Sequence, residues 1–291
     1  MTSHKRKTGR RRAIAGALGA LGVTGAAVLT TSLPAPAGAA THNGAGTGAG
    51  AAPAAARAAA APAAWPRAKG TEPVPASIPV SGTYDGGLKR FHGTGELGSD
   101  GQDESQKPLF VLADGAVLKN VIIGTPAADG VHCLGSCTLQ NVWWENVGED
   151  AASFKGTSKS AVYAVYGGGA RGASDKVFQF NGAGKLVVTK FQVADFGKLV
   201  RSCGNCKKQY PRTILVNDVD ITAPGTSIVG VNANYGDTAT LRNVRIHGDA
   251  KKKIKPCVRF TGNNTGKEPQ EIGTGPDGTT CRYSAGDLSY G

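Results

Sequence analysis

The sequence predicts an all-β chain wound as a solenoid, because one short strand-like segment recurs along it and irregular Gly-rich turns join the copies. With 43 glycines in 291 residues, long amphipathic helices are also not expected. The copies are "VLKNVII" at 117–123, "TLQNVWW" at 138–144, "VVTKFQV" at 187–193, "VNDVDI" at 216–221 and "TLRNVRI" at 240–246. Aligning Asn120, Asn141, Lys190, Asp218 and Asn243 gives steps of 21, 49, 28 and 25 residues. The longest gap has room for one more copy, "AVYAVY" at 161–166. Each copy alternates apolar and polar residues, the period of a half-buried strand. Strands returning at this interval suit a right-handed parallel β-helix in which each rung buries its apolar face against the next. The polar residue at a fixed place in each copy then predicts a hydrogen-bonded ladder along the solenoid. An immunoglobulin-like sandwich is the rival fold, but it would need antiparallel hairpins with two-residue turns, and the connections here are long and irregular.

From the N-terminus, residues 1–39 have the layout of a secretory signal peptide. Six Lys and Arg precede an Ala/Gly/Leu/Val run from Ala13 to Leu29, and small residues end in Ala37-Gly38-Ala39. The run is too weakly apolar to anchor the chain in a membrane. Residues 40–73 are Ala, Pro and Gly with little apolar bulk and read as a disordered linker. One domain follows, 74–291, long enough to bury a single substantial core. The full chain carries a formal charge of +12, and removing the six leader positives leaves about +6. A basic exported protein meets an acidic polysaccharide more readily than nucleic acid or a cytoplasmic membrane surface.

All six cysteines, 133, 137, 203, 206, 257 and 281, lie in that domain. An even count in an exported chain predicts disulfides, and we expect the sequence-local pairs 133–137, 203–206 and 257–281. A four-Cys zinc site built from "CLGSC" and "CGNC" is the alternative. The stretch "ENVGEDAASFKG" at 145–156 sets two carboxylates side by side, Glu149 and Asp150. Adjacent acids repel each other, so they are either solvated turn residues or hold a cation. Asp129 lies 20 residues earlier, close to one 21-residue step, which places it on the neighbouring rung.

The run "LKNVIIGTPAADGVHCLGSCTLQNVWWENVGEDAASFKG", followed by "GGGARGASDKVFQFNGAG" and "DFGKLVRSCGNC", resembles the secreted bacterial pectate lyases of polysaccharide lyase family 3. The likeness covers about Gln106 to Cys206 and continues more loosely to the C-terminus. It implies a secreted, monomeric, calcium-dependent enzyme that cleaves polygalacturonate by β-elimination. By the same resemblance, Asp129, Glu149 and Asp150 match the calcium ligands and Lys176, in "SDKVFQ", matches the proton-abstracting lysine. Lysine serves as a base only if nearby cations or desolvation lower its pKa. Arg201, 25 residues on, lies one rung later, and its planar fork suits a carboxylate or a developing enolate. Otherwise Arg201 pairs with Asp175 or Asp195. Lys155 and Lys198 are candidates for binding substrate carboxylates, and Asp175 for orienting Lys176 or holding a further cation. His132, in "GVHC", reads as structural. Trp143 and Trp144 point to opposite faces of a strand, one into the core and the other free to stack on a sugar. Phe180 stands where many relatives carry His, so no polar contact is expected there.

Two other functions compete. A β-helix pectin hydrolase would work through inverting carboxylates and water, with Asn-Thr-Asp, Gly-His-Gly and Arg-Ile-Lys clusters. This chain has "VHC" and "RIH" instead. A non-catalytic polysaccharide-binding β-helix would not need Asp129, Glu149, Asp150, Lys176 and Arg201 together.

Overall fold

The computed structural model describes residues 62–291. The expected leader at 1–39 and the linker as far as residue 61 lie outside the described residues. Among the described residues there are seventeen strands, three single-turn 3-10 segments and no α-helix. Nearly every strand pair is parallel, the exception being Lys255–Thr261 with Gln270–Thr274. The chain is therefore a parallel β-helix, and the sandwich is excluded.

Three faces make up each turn. The first stacks Ile78–Val80, Phe110–Leu112, Val131–Cys133 and Asp150–Phe154, then the distal parts of Val162–Phe180, Gln192–Ser202 and Arg212–Asn232. The second stacks the proximal parts of Ala116–Ile123, Cys137–Trp144 and Val162–Phe180, followed by Gly184–Thr189 and Arg212–Asn232. The third runs from Thr71–Val74 and the end of Thr83–Gly93 to Leu288–Tyr290. The segment at 161–166 is a true rung: Ala164 pairs with Thr138 and Val165 with Leu139.

One residue turns the chain between the second and third faces. Asn120, Asn141, Lys190, Asp218 and Asn243 all adopt left-handed φ values, between 47° and 56°. L residues avoid that region, and Asn, Asp and Gly tolerate it best, which explains the repeated polar residue. The expected ladder exists in two pieces. Asn141 donates to Asn120 (2.8 Å) and Asn120 to Asp85 (3.0 Å), while farther on Asn243 donates to Asp218 (3.0 Å). Gly167 and Lys190 occupy the two corners between, and neither carries a side chain that can continue it.

The inward positions form one core with an aromatic spine. Phe178 packs on Phe191 (ring centroids 5.2 Å apart) and on Trp144 (6.0 Å), and Phe180 on Tyr163 (5.4 Å). Phe180 is fully buried, so its place is one of packing. The cysteines pair as 133–137, 203–206 and 257–281, and no free thiol remains for zinc.

The folded region starts earlier than the expected boundary at Val74. Thr71–Val74 pairs with 90–93 in parallel, and Trp65 packs edge-on against Trp143 at 5.0 Å with the Arg171 guanidinium 4.4 Å from its ring. The Ala63 carbonyl accepts from Gln192 at 2.8 Å. Composition hid this segment, because a single Trp among small residues docks it.

Candidate active site

The first face carries the charged residues. Asp150 pairs in register with Lys176, and Lys176 with Lys198. Val131 pairs with Ala152, so Asp129 lies one rung from Asp150. Three residues further along each strand, a second outward column runs His132, Ser153, Gln179, Arg201. Two glycines let the acidic turns stack this closely. A Cβ on Gly130, whose φ is +49°, would sit 2.2 Å from the Ala151 carbonyl oxygen, and one on Gly148 would sit 2.0 Å from that of Ala128.

Asp129, Glu149 and Asp150 are each 3% exposed or less, and one oxygen of each lies within 4.8 Å of the others. Ser153 Oγ donates to Asp150 Oδ2 at 2.9 Å, and His132 Nε2 bonds Asp129 Oδ2. Asp129 Oδ1 and Asp150 Oδ1 are buried with no hydrogen-bond partner. Burial pushes the Asp150 carboxyl well above its ordinary range, Lys176 opposes that, and Glu149 and Asp129 add to it. Three desolvated carboxylates with two orphaned oxygens are costly unless a cation joins them. An all-oxygen donor set of this charge fits a hard cation such as calcium.

Lys176 sits against the cage. Its Nζ lies 2.8 Å from Asp175, 3.2 Å from Glu149 and 3.7 Å from Asp150. Burial pulls the ammonium pKa down, but Asp150, Asp175 and Glu149 outweigh it and hold the pKa above the ordinary lysine value. The protein's own groups thus do the opposite of what a lysine base requires. Asp175 bridges Lys176 and Lys198, and those two bonds overcome burial to keep its carboxyl below the usual range.

Arg201 pairs with neither Asp175 nor Asp195, and among the described residues no carboxylate lies in salt-bridge range of it. It donates to the Ser202 carbonyl and to Asn232 Oδ1 (3.1 Å), and stacks 4.1 Å over Phe260. Desolvation lowers its pKa to about 10, which leaves a buried cation without an anion. Cys203–Cys206 fixes the turn immediately after it. Lys176, Lys198 and Arg201 line one cleft of about 150 Å³ with Glu104, Asp175 and Glu268. Two larger hollows, of about 400 and 370 Å³, lie away from these side chains. Charge density singles out the small cleft.

Other expected participants sit differently. Lys155 Nζ lies 3.0 Å from His132 and does not line the cleft. His132 is not an ordinary core residue, because it holds Asp129 from the outward column. Trp144 is in the core, and Trp143 lies beneath Trp65 with its Nε1 bonded to Asn141 (2.7 Å), so neither offers a ring to a sugar. Glu104, 3.8 Å from Lys176, escaped the sequence reading because its loop has no periodic pattern.

Comparison with known proteins places this geometry. The family model described as pectate lyase matches residues 62–267. The chain is 46% identical over 222 residues to pectate lyase E of Emericella nidulans, covering 75% of this chain and 84% of that protein. It is also 46% identical over 224 residues to a probable pectate lyase D of Aspergillus fumigatus, covering 75% and 88%. The crystal structure of the catalytic domain of pectate lyase PelI from Erwinia chrysanthemi superposes with a TM-score of 0.64 at 33% identity, over 77% of this chain and 98% of that one. A further PelI structure, in complex with tetragalacturonic acid, gives 0.63 at 33% identity, over 75% and 70%. With its acidic cage and its lysine on adjoining rungs of that shared β-helix, the chain belongs to the pectate lyase family.

Proposed function

We propose that the protein is a secreted, monomeric pectate lyase that depends on calcium and cleaves polygalacturonate by β-elimination. The observation that carries this reading is the buried cage of Asp129, Glu149 and Asp150, with two orphaned oxygens, one rung from Lys176. These three carboxylates would hold the ion, with Ser153 and His132 fixing the orientations of Asp150 and Asp129. When bound, calcium supplies the positive charge that offsets a uronate C6 carboxylate and makes the C5 proton more acidic.

Lys176 takes that C5 proton. The C5–H and C4–O4 bonds break, a C4–C5 double bond forms, and the leaving oxygen gains a proton. In the free protein the surrounding carboxylates favour the ammonium form, so Lys176 becomes a base when Glu149 and Asp150 are engaged elsewhere and the pH is alkaline. Arg201 has a desolvated guanidinium free of carboxylates and is placed to stabilise charge on the enolate. Lys198 binds a neighbouring uronate, and Asp175 orients both lysines. Lys155, outside the cleft, steadies His132.

Three disulfides suit an oxidising compartment, and the leader at 1–39 is the proposed route there. The test is to follow ultraviolet absorbance and reducing ends together on polygalacturonate. Elimination raises both, hydrolysis raises reducing ends alone, and simple binding raises neither.

A further inference from the structure

The column of charged residues on the first face continues past the cleft. Lys198 pairs with the buried, neutral Ser227 and Ser227 with Lys255, so Lys255, itself paired with Glu271 at 2.9 Å, stands two rungs on, roughly 10 Å away at ~4.8 Å per strand. The turn entering that rung is "GDAKKKIK", and Lys251, Lys252 and Lys253 are all exposed. The loop's single acid offsets only part of the charge of these three lysines. Asp249 is 6% exposed, and its two oxygens accept from the backbone N–H of Lys253 and of Ile254, both at 2.8 Å. The same bonds fix the loop that presents the lysines. Between this turn and the one before it lies a groove of about 370 Å³, whose lining includes Ala223, Pro224, Ile254, Lys251, Lys253 and the largely buried Asp249. An apolar floor with two cations at the rim matches a uronate ring, which has C–H faces and one carboxylate.

We propose that this groove is a distal subsite for the anionic polysaccharide, with Lys251 and Lys253 binding a uronate unit beyond the cleavage point. The inference rests on the lyase reading for its ligand. It also gives the bound chain a path, from the cleft towards the C-terminal rungs, where the exposed lysines draw an anionic polymer.

Affinity electrophoresis through gels containing polygalacturonate, with a chelator present, reads binding without turnover. The wild-type protein should be retarded, and the double variant Lys251→Ala/Lys253→Ala should show an apparent affinity weaker by roughly three- to tenfold. KM on the long polymer should rise by the same factor. Lys159→Ala/Lys185→Ala removes the same charge from exposed positions outside this groove and should leave the retardation unchanged. Equal retardation of wild type and Lys251→Ala/Lys253→Ala, or equal loss in the control pair, overturns the subsite and leaves the lyase reading untouched. Position-specific loss of retardation in a protein that forms no unsaturated product would uphold the subsite and overturn the lyase reading.

Discussion

Lys176 is pulled in two directions, down by burial and up by three carboxylates, and the carboxylates win in the metal-free protein. Lys176→Ala should therefore lower kcat by roughly 10²–10⁴-fold, the range of a positioned general base, with little change in KM. Lys176→Arg should be almost as poor, because a guanidinium with a pKa above ~12 keeps its proton. Initial rates on polygalacturonate check both, and a variant keeping more than about a tenth of wild-type turnover would remove Lys176 from the role. Asp150 has the opposite problem. Its folded pKa is raised above the unfolded value, so this group's contribution to stability is present at acid pH and is lost as the pH rises through the ordinary carboxylate range and beyond. Asp150→Asn should stabilise the metal-free protein at neutral pH by about 1–3 kcal/mol, by chemical denaturation, while raising the calcium concentration needed for activity. Spacing placed Asp129 one rung from the adjacent Glu149 and Asp150, and resemblance matched the three to calcium ligands. Neither showed His132 or Glu104 as neighbours, since those contacts depend on side-chain reach and carry no period.

At the level of the element, the left-handed corner explains why the repeat was legible. A residue with φ near 50° must recur wherever the second face turns into the third, and Asn marks it at 120, 141 and 243. Asn141→Ala should cost about 1–3 kcal/mol, through the left-handed φ, the ladder bond to Asn120 and the acceptor for Trp143 Nε1. Calcium-saturated kcat should be unchanged, because that corner lies away from the first face. The earliest rungs went unread for the same reason: their corner spreads over 86–88 with a register shift, and no single Asn marks it. The C-terminal loop offers a pH test. Burial acts to raise the Asp277 pKa, but bonds from the backbone N–H groups of Cys281, Thr279 and Thr280 hold it at about 2. That stabilisation is present above the ordinary carboxylate pKa of 3.8 and is lost as the pH falls towards about 2. Asp277→Ala should thus cost about 1 kcal/mol at neutral pH, as lost caps do, and nearly nothing near pH ~2.

Across the whole molecule, the buried acidic cage sits on early rungs and the exposed run Lys251, Lys252 and Lys253 on a late one. The fold was readable because a parallel β-helix repeats its local physics rung by rung. The start of the domain was not readable, because one docked tryptophan in an Ala/Pro-rich segment has no compositional signature. The reaction came from resemblance over a long block, since spacing alone gives carboxylates and a lysine without saying what they act on. Cage, lysine and substrate come together in the initial rate of unsaturated product formation from polygalacturonate, measured at alkaline pH in calcium and again in excess chelator. We predict rapid formation with calcium, none in chelator, and full recovery when calcium is restored; undiminished turnover in chelator would contradict the role given to Asp129, Glu149 and Asp150.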